Sequence, residues 1–235
     1  YILYVVDARQ SLHFEGVFRI AQMLGYTNNL EHIAFGTING SDGKPFKTRS
    51  GETLKLDELI NNTKEIFLSK REENKNMSSV DLDKIVNSII KYADLQNNRE
   101  KSYNFDIAKF SEVSGKTGPY ILYSALRIRK ILTTNTFNKG NVSDTIYNDI
   151  DKNLRLKLLD FNKYLDKAIE DRLPSVIAEY VYDLANLLNS FYQNINISKI
   201  EDETMKNDYL NILDLSFNVL KECLDLLIIE LPSEM

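Results

Sequence analysis

This sequence predicts a mainly α-helical protein that opens on a short βαβ unit and closes on an antiparallel α-helical bundle. Three observations carry that prediction. The first residues, YILYVV, form a short apolar run rich in β-branched and aromatic side chains; a helical pattern and a second apolar run follow it. Beyond Gly51, apolar residues recur at steps of three and four with no further convincing strand. Nine Gly and four Pro in 235 residues are few for the turns of a sandwich or barrel and suit long helices.

The YILYVV run is too short for a helix of ordinary length and reads as a buried parallel strand. Asp7, Arg9 and Gln10 then leave the sheet at its carboxyl edge, where α/β half-domains present polar groups to nucleotides. From His13 the pattern is helical, with Phe14, Val17, Phe18, Ala21 and Leu24 on one side and Gly25 as the stop. A second strand, roughly Ile33 to Ile38, leads into the basic loop GSDGKPFKTRSG, Gly40 to Gly51. The unit reads as the last of something larger, and a chain that starts in mid-strand without methionine reads as a fragment. The Tyr1 to Val6 strand is then expected to expose apolar side chains along an edge.

The helical part begins with Leu56, Leu59, Ile60, Ile66 and Phe67, which run into SKREENKN (Ser69 to Asn76), a solvated helix end or loop. A helix from Ser78 or Ser79 carries Leu82, Ile85, Val86, Ile89 and Ile90. Asp106 is placed to cap a short helix through Val113. Gly115 and Gly118 break the chain before Pro119, a first-turn residue. Three long stripes follow: Leu154, Leu158, Phe161, Leu165, Ala168; Ile177, Tyr180, Leu184, Leu187, Phe191; and Leu210, Leu213, Phe217, Leu220, Leu224, Leu227. They are core and predict the bundle. The domain boundary falls near residue 60, giving domains 1–60 and 61–235.

Composition bounds the chemistry. The one cysteine, Cys223, excludes an internal disulfide and suits a reducing compartment, here read as cytoplasm. No apolar run reaches the length of a membrane span and no signal-peptide pattern is present, so no membrane partner is expected. A net charge of −5 argues mildly against nucleic acid, but 29 Lys and Arg suffice for a local basic surface.

One stretch departs from the apolar stripes. In GKTGPYILYSALRIRKIL, Gly115 to Leu132, the residues Tyr120, Tyr123 and Arg127 share one helix face, while Ile121, Leu122, Leu126 and Ile128 occupy the other. Two rings and a guanidinium can take splayed bases by stacking and meet a phosphate or base edge. Spacing alone favours the other reading, core tyrosines with satisfied hydroxyls beside an acid-paired arginine.

DARQSLHF, HIAFG, DGKPFKTRSG, KYADLQNNREKSYNFD, TGPYILYSALRIRKIL and the terminal PSEM, in this order, resemble arginyl-tRNA synthetase, a class I enzyme. The resemblance spans essentially the whole chain. It implies the end of a Rossmann catalytic domain followed by an all-helical anticodon-binding domain of the DALR type. Gln10 then matches the glutamine that helps hold the substrate arginine, with Asp7 and His13 in the same wall; a neutral amide accepts from a guanidinium without burying another charge. Read without the resemblance, Gln10 serves equally as a turn residue. The backbone at Phe35 and Gly36 matches the strand end that meets adenine. GKPFKTRSG takes the place of the KMSKS signature, so Lys44, Lys47, Thr48, Arg49 and Ser50 are implied to meet the ATP triphosphate as the arginine carboxylate attacks. On composition alone it is as well a solvated basic hairpin.

The same resemblance assigns Tyr120, Tyr123, Arg127 and Met235 to the tRNA anticodon loop. Tyr192 is the weaker candidate and is read as core, and His32 as structural. ATP, Mg²⁺, arginine and tRNA are implied for a parent enzyme expected to be monomeric. No side chain here is assigned as a metal ligand. The HIGH signature would lie before Tyr1, so this chain alone is expected to be catalytically incomplete. The carboxyl end departs from the family pattern: Ile228 stands where a glycine is expected, Glu234 where a basic residue is common, and Tyr209 where arginine is frequent. A non-catalytic tRNA-binding or regulatory paralogue, or a helical protein-interaction module, are the competing readings.

Overall fold

The computed structural model describes residues 1–40, 43, 55–70, 77–140 and 142–235. They form two compact units, one of Tyr1–Lys55 with Asn97–Asp106 and one of Leu56–Gln96 with Ile107–Met235. The basic loop residues 41, 42 and 44–51, and 71–76 of the SKREENKN stretch, lie outside the described residues.

In the first unit, β1 (Ile2–Asp7) leads through a 3₁₀ turn (Ala8–Gln10) into α1 (Ser11–Met23), and β2 (Leu30–Phe35) and β3 (Ile38–Asn39) follow. β1 and β2 pair in parallel from Ile2 opposite Leu30 to Asp7 opposite Phe35, which makes the expected βαβ unit. Helix α1 covers one face, where the Tyr4 ring lies 5.3 Å from both Phe14 and Phe18. His32 is structural, stacked on Phe14 at 4.9 Å with Nε2 3.0 Å from the Val6 carbonyl oxygen. Gly25, at φ 86°, ends the turn after the helix as expected.

Two strand expectations are corrected. β1 is parallel but not buried: Ile2, Leu3 and Val5 are 42, 47 and 66% exposed. One neighbouring strand and one covering helix cannot enclose both faces, so the apolar exposure anticipated for this strand is present. The second strand starts at Leu30 and is interrupted at Gly36 and Thr37. β3 then pairs in parallel with β4 (Tyr103–Asn104), a strand that the sequence did not suggest. A two-residue strand is too short to show alternation.

The second unit holds α2 (Leu56–Ser69), α3 (Ser79–Leu95), α4 (Ile107–Phe110), α5 (Gly118–Thr134), α6 (Asp149–Leu159), α7 (Phe161–Asp171), α8 (Pro174–Asn194) and α9 (Glu203–Leu226). Their starts follow local chemistry. Ser78 Oγ accepts from the Asp81 N–H at 3.1 Å and Thr117 Oγ1 from the Tyr120 N–H at 3.3 Å, while Pro119 and Pro174 sit in first turns. Helices α3, α5, α8 and α9 meet around fully buried Ile85, Ile89, Ile121, Leu122, Leu184 and Leu213. Tyr92 ties α3 to α8 by donating to the Ala178 carbonyl at 2.8 Å. At Gly118 a Cβ would stand 2.4 Å from the Ser88 carbonyl oxygen, so glycine lets α5 approach α3.

Two helix expectations also change. The Leu154 to Ala168 stripe is split at Asp160, whose ψ of −8° turns the chain between α6 and α7. The three-residue step from Leu158 to Phe161 continues across the bend, so spacing could not reveal it. The helix after Asp106 stops at Phe110, short of Val113.

Candidate functional site

In the first unit the carboxyl ends of β1 and β2 lie side by side, which brings Asp7 opposite Phe35. Asp7 caps the 3₁₀ turn: Oδ1 accepts from the Arg9 N–H at 2.8 Å and from Nε at 2.9 Å, while Oδ2 accepts from Nη2 at 2.7 Å. The Arg9 side chain, and then its backbone N–H, hold the Asp7 carboxyl at about 2. Its carboxylate is therefore a turn-former. Gln10, the next polar residue of the turn, is exposed and makes no side-chain cap bond to α1. His13 is exposed on the first turn of α1, edge-on to Phe14 at 5.5 Å.

The end of β2 is braced by residues 99–102. The Gly36 N–H donates to the Arg99 carbonyl at 2.7 Å and Arg99 Nη1 donates to the Ala34 carbonyl at 2.6 Å. A Cβ on Gly36 would lie 2.7 Å from the Lys101 carbonyl carbon and the Ser102 nitrogen, so no other residue fits. Phe35 is 40% exposed beside it. Spacing does not single out Arg99 or Ser102, whose side chains bond to Ala34 and Thr37, or Lys101, whose backbone stands against Gly36. Lys44, Lys47, Thr48, Arg49 and Ser50 lie outside the described residues.

In the second unit α5 and α8 form a polar and aromatic seam. Tyr120 donates from its hydroxyl to Asn186 Oδ1 at 2.7 Å, and its ring lies 5.8 Å from that of Tyr182. Tyr123 and Arg127 meet: Arg127 Nη2 donates to the Tyr123 hydroxyl at 3.0 Å, and the guanidinium lies 4.1 Å from the centre of the Tyr123 ring. The second ring on Arg127 belongs to Tyr192, at 4.8 Å. Tyr192 is 44% exposed, which corrects its reading as core. Arg127 Nη1 donates to Asn189 Oδ1 at 3.2 Å. Of the two readings left open for this face, the tyrosine hydroxyls are satisfied, but the rings are half-buried and the partners of Arg127 are a phenol and an amide rather than an acid.

The carboxyl-terminal segment packs on the same bundle. Met235 is half-buried against the core. Ser233 donates from its N–H to Asp81 Oδ1 at 2.7 Å and from its hydroxyl to Oδ2, and Arg129 of α5 donates to the Ser233 carbonyl. Lys91 donates to the Ile228 carbonyl, and Ile228 adopts φ 55°. Tyr209 is interior, 2% exposed, with its hydroxyl accepting from Asn148 Nδ2 at 2.9 Å. Beside it Tyr147 donates to Asp208 Oδ2 at 2.6 Å, a bond that lifts the Tyr147 hydroxyl to about 12. No helix among the described residues is long and apolar enough to cross a membrane.

Residues 1–107 match the family of tRNA synthetases class I (R), catalytic domain, and residues 121–235 match the DALR anticodon binding domain. A strand-end polar turn joined to such a helical bundle defines the carboxyl-terminal part of a class I tRNA synthetase. The arginine--tRNA ligase of Alkaliphilus oremlandii (strain OhILAs) is 41% identical over 244 residues, covering 100% of this chain and 42% of that protein. That of Agathobacter rectalis is 39% identical over 255 residues, with the same coverage of 100% and 42%. The chain thus spans less than half the length of these relatives. In structure it is similar to arginyl-tRNA synthetase of Thermus thermophilus, with TM-score 0.85 at 23% identity, covering 99% of this chain and 41% of that one. The Plasmodium falciparum enzyme gives TM-score 0.77 at 27% identity, with coverage of 99% and 41%. The chain belongs to the arginyl-tRNA synthetase family.

Proposed function

We propose that this chain is the carboxyl-terminal portion of an ATP-dependent arginine–tRNA ligase that attaches arginine to its tRNA through arginyl-adenylate. The observation that carries the reading is the likeness to arginine--tRNA ligases along all of the chain. In this reading residues 1–60 contribute one wall of the catalytic domain and residues 61–235 bind the anticodon loop. Gln10 accepts from the guanidinium of arginine, Asp7 sets the turn that presents it, and His13 stands in the same wall. The Phe35–Gly36 backbone meets adenine. Lys44, Lys47, Thr48, Arg49 and Ser50 bring charge and donors to the triphosphate of ATP with its Mg²⁺. Tyr120, Tyr123, Arg127 and Met235 face the anticodon loop, where rings stack on unpaired bases. The parent works as a cytoplasmic monomer, and this chain alone does not form adenylate.

The geometry supports the division of labour. Gln10 and Phe35 sit at one sheet end with exposed surface, and the hydrogen-bond partners of Arg127 are the uncharged Asn189 amide and Tyr123 hydroxyl rather than a carboxylate. The test is the affinity of the chain for an arginine tRNA transcript against the same transcript with an unrelated anticodon, at one fixed salt concentration. A preference of about tenfold, roughly 1.4 kcal/mol, abolished by Tyr123→Ala is expected; equal binding of both transcripts refutes anticodon reading by this chain. In the protein carrying the rest of the catalytic domain, Gln10→Ala is expected to impair arginine activation. Unchanged activation would remove Gln10 from the site, and a parent that binds tRNA without activating arginine would be the non-catalytic paralogue.

A further inference from the structure

The bonds around Arg127 form a relay that starts on α5, crosses to α8 and returns. Ser124 Oγ donates to the Tyr120 carbonyl at 2.7 Å and accepts from Asn189 Nδ2 at 2.6 Å. That contact fixes which way the Asn189 amide points, so its carbonyl oxygen faces α5 and accepts from Arg127 Nη1 at 3.2 Å. Asn189 is 8% exposed, and Tyr192 follows one turn later on the same side of α8. The guanidinium is consequently held at two points, Asn189 and the Tyr123 hydroxyl, with its central carbon over both the Tyr123 ring and the Tyr192 ring.

From this arrangement we infer that Asn189 is a positioning residue for tRNA recognition: it orients the Arg127 guanidinium over Tyr123 and the exposed Tyr192 ring without neutralising it, and Tyr192 is a further stacking surface for the RNA. The inference rests on the anticodon-binding reading of this face. An aspartate in the same place would form a salt bridge and cancel the charge meant for a phosphate or base edge. An apolar residue would leave the guanidinium free to leave the stack. Asparagine supplies an acceptor with no charge, and its second amide group is anchored by Ser124, so the orientation is set before the RNA arrives. Among the described residues Tyr123 and Asn189 take two of the five guanidinium N–H donors, which leaves the rest for the ligand. Tyr192 presents the open side of the stack, being 44% exposed.

The test compares Asn189→Asp, Asn189→Ala, Tyr192→Leu and Arg127→Ala in the 235-residue chain. Each is titrated with the arginine tRNA transcript over a range of salt, and thermal unfolding is followed alongside. Asn189→Asp keeps the shape, because the Ser124 hydroxyl can turn to donate to the new carboxylate. It is expected to bind about tenfold more weakly and to flatten the dependence of log affinity on log salt by about 0.7, the loss of one phosphate contact on a single strand. Asn189→Ala is expected to weaken binding while leaving that slope unchanged, since the charge stays. Tyr192→Leu is expected to lose affinity with the slope of the parent. If Asn189→Asp folds and binds with parental affinity and slope while Arg127→Ala is impaired, the positioning role is overturned and the anticodon reading stands. If Arg127→Ala binds like the parent, both fall. Should Asn189→Asp not fold, Asn189→Ala and Tyr192→Leu decide, and parental affinity in both overturns the inference.

Discussion

Ile228 holds a backbone conformation, φ 55°, that costs an L-residue roughly 1–2 kcal/mol and a β-branched one at the upper end. Its side chain is 71% exposed, so packing returns little of that cost, while its carbonyl is fixed by Lys91. This is the position at which the family resemblance led one to expect glycine, and the geometry explains that expectation: the turn after α9 needs a left-handed residue. Ile228→Gly is expected to raise stability by about 1 kcal/mol, the relief of strain less the extra freedom of the unfolded chain. Denaturant titration checks it, and an unchanged or lower midpoint would mean that the side chain contributes packing that its exposure conceals. The same scale shows what a sequence withholds. Asn189 stands in the middle of a long apolar stripe and looks like any polar interruption of a helix. Its role exists only in the company of Ser124, Arg127 and Tyr192, residues that come together across two helices.

At the scale of elements, the apolar stripes of α2, α3, α8 and α9 were legible because burial on one face imposes a repeat on the sequence, and the capping residue Ser78 and the first-turn Pro119 mark the starts of α3 and α5. The bend at Asp160 and the strand β4 were not, since neither disturbs a periodicity. The terminal segment is held by an element too, through Asp81 at the start of α3. Asp81 is 3% exposed; burial works to raise its pKa, but the Ser233 hydroxyl and N–H, the Ser78 hydroxyl and nearby Lys84 outweigh it and hold the carboxyl below its ordinary range. A depressed folded pKa means that the stabilisation is fully present above the unfolded carboxyl value of about 3.9 and disappears as pH falls through the lower folded value. Asp81→Asn is therefore expected to lose about 1.5–3 kcal/mol at neutral pH, with the difference from the parent shrinking below about pH 4. Parallel curves of stability against pH for the two proteins would place the acid sensitivity elsewhere.

For the whole molecule, Cys223 offers a reporter. It is the only cysteine, fully buried in the bundle core, and burial first, then Glu222, push its thiol up to about 12. A thiol reagent is expected to leave the native chain unmodified at neutral pH and to label it in step with loss of helical circular dichroism as denaturant is added. Labelling well before that loss would reveal an opening confined to α9. The general class, a βαβ unit ahead of a helical bundle, was readable from composition and spacing, because bundles announce themselves by repetition. The membership of residues 97–106 was not readable in that way: these ten residues carry little apolar pattern and join the first unit through backbone bonds to Gly36, Thr37 and Asn39.

That return has a consequence for how such a protein can be inherited or rebuilt. The chain passes from one unit to the other at residues 55–56, 96–97 and 106–107, so neither unit is a continuous stretch of gene. A single crossover in recombination cannot exchange the bundle for another and keep the brace behind Gly36. Trading the helical unit between relatives requires either a matched brace carried along with it or a graft at three junctions, which ties the history of the two units together more closely than a pair of beads on a string.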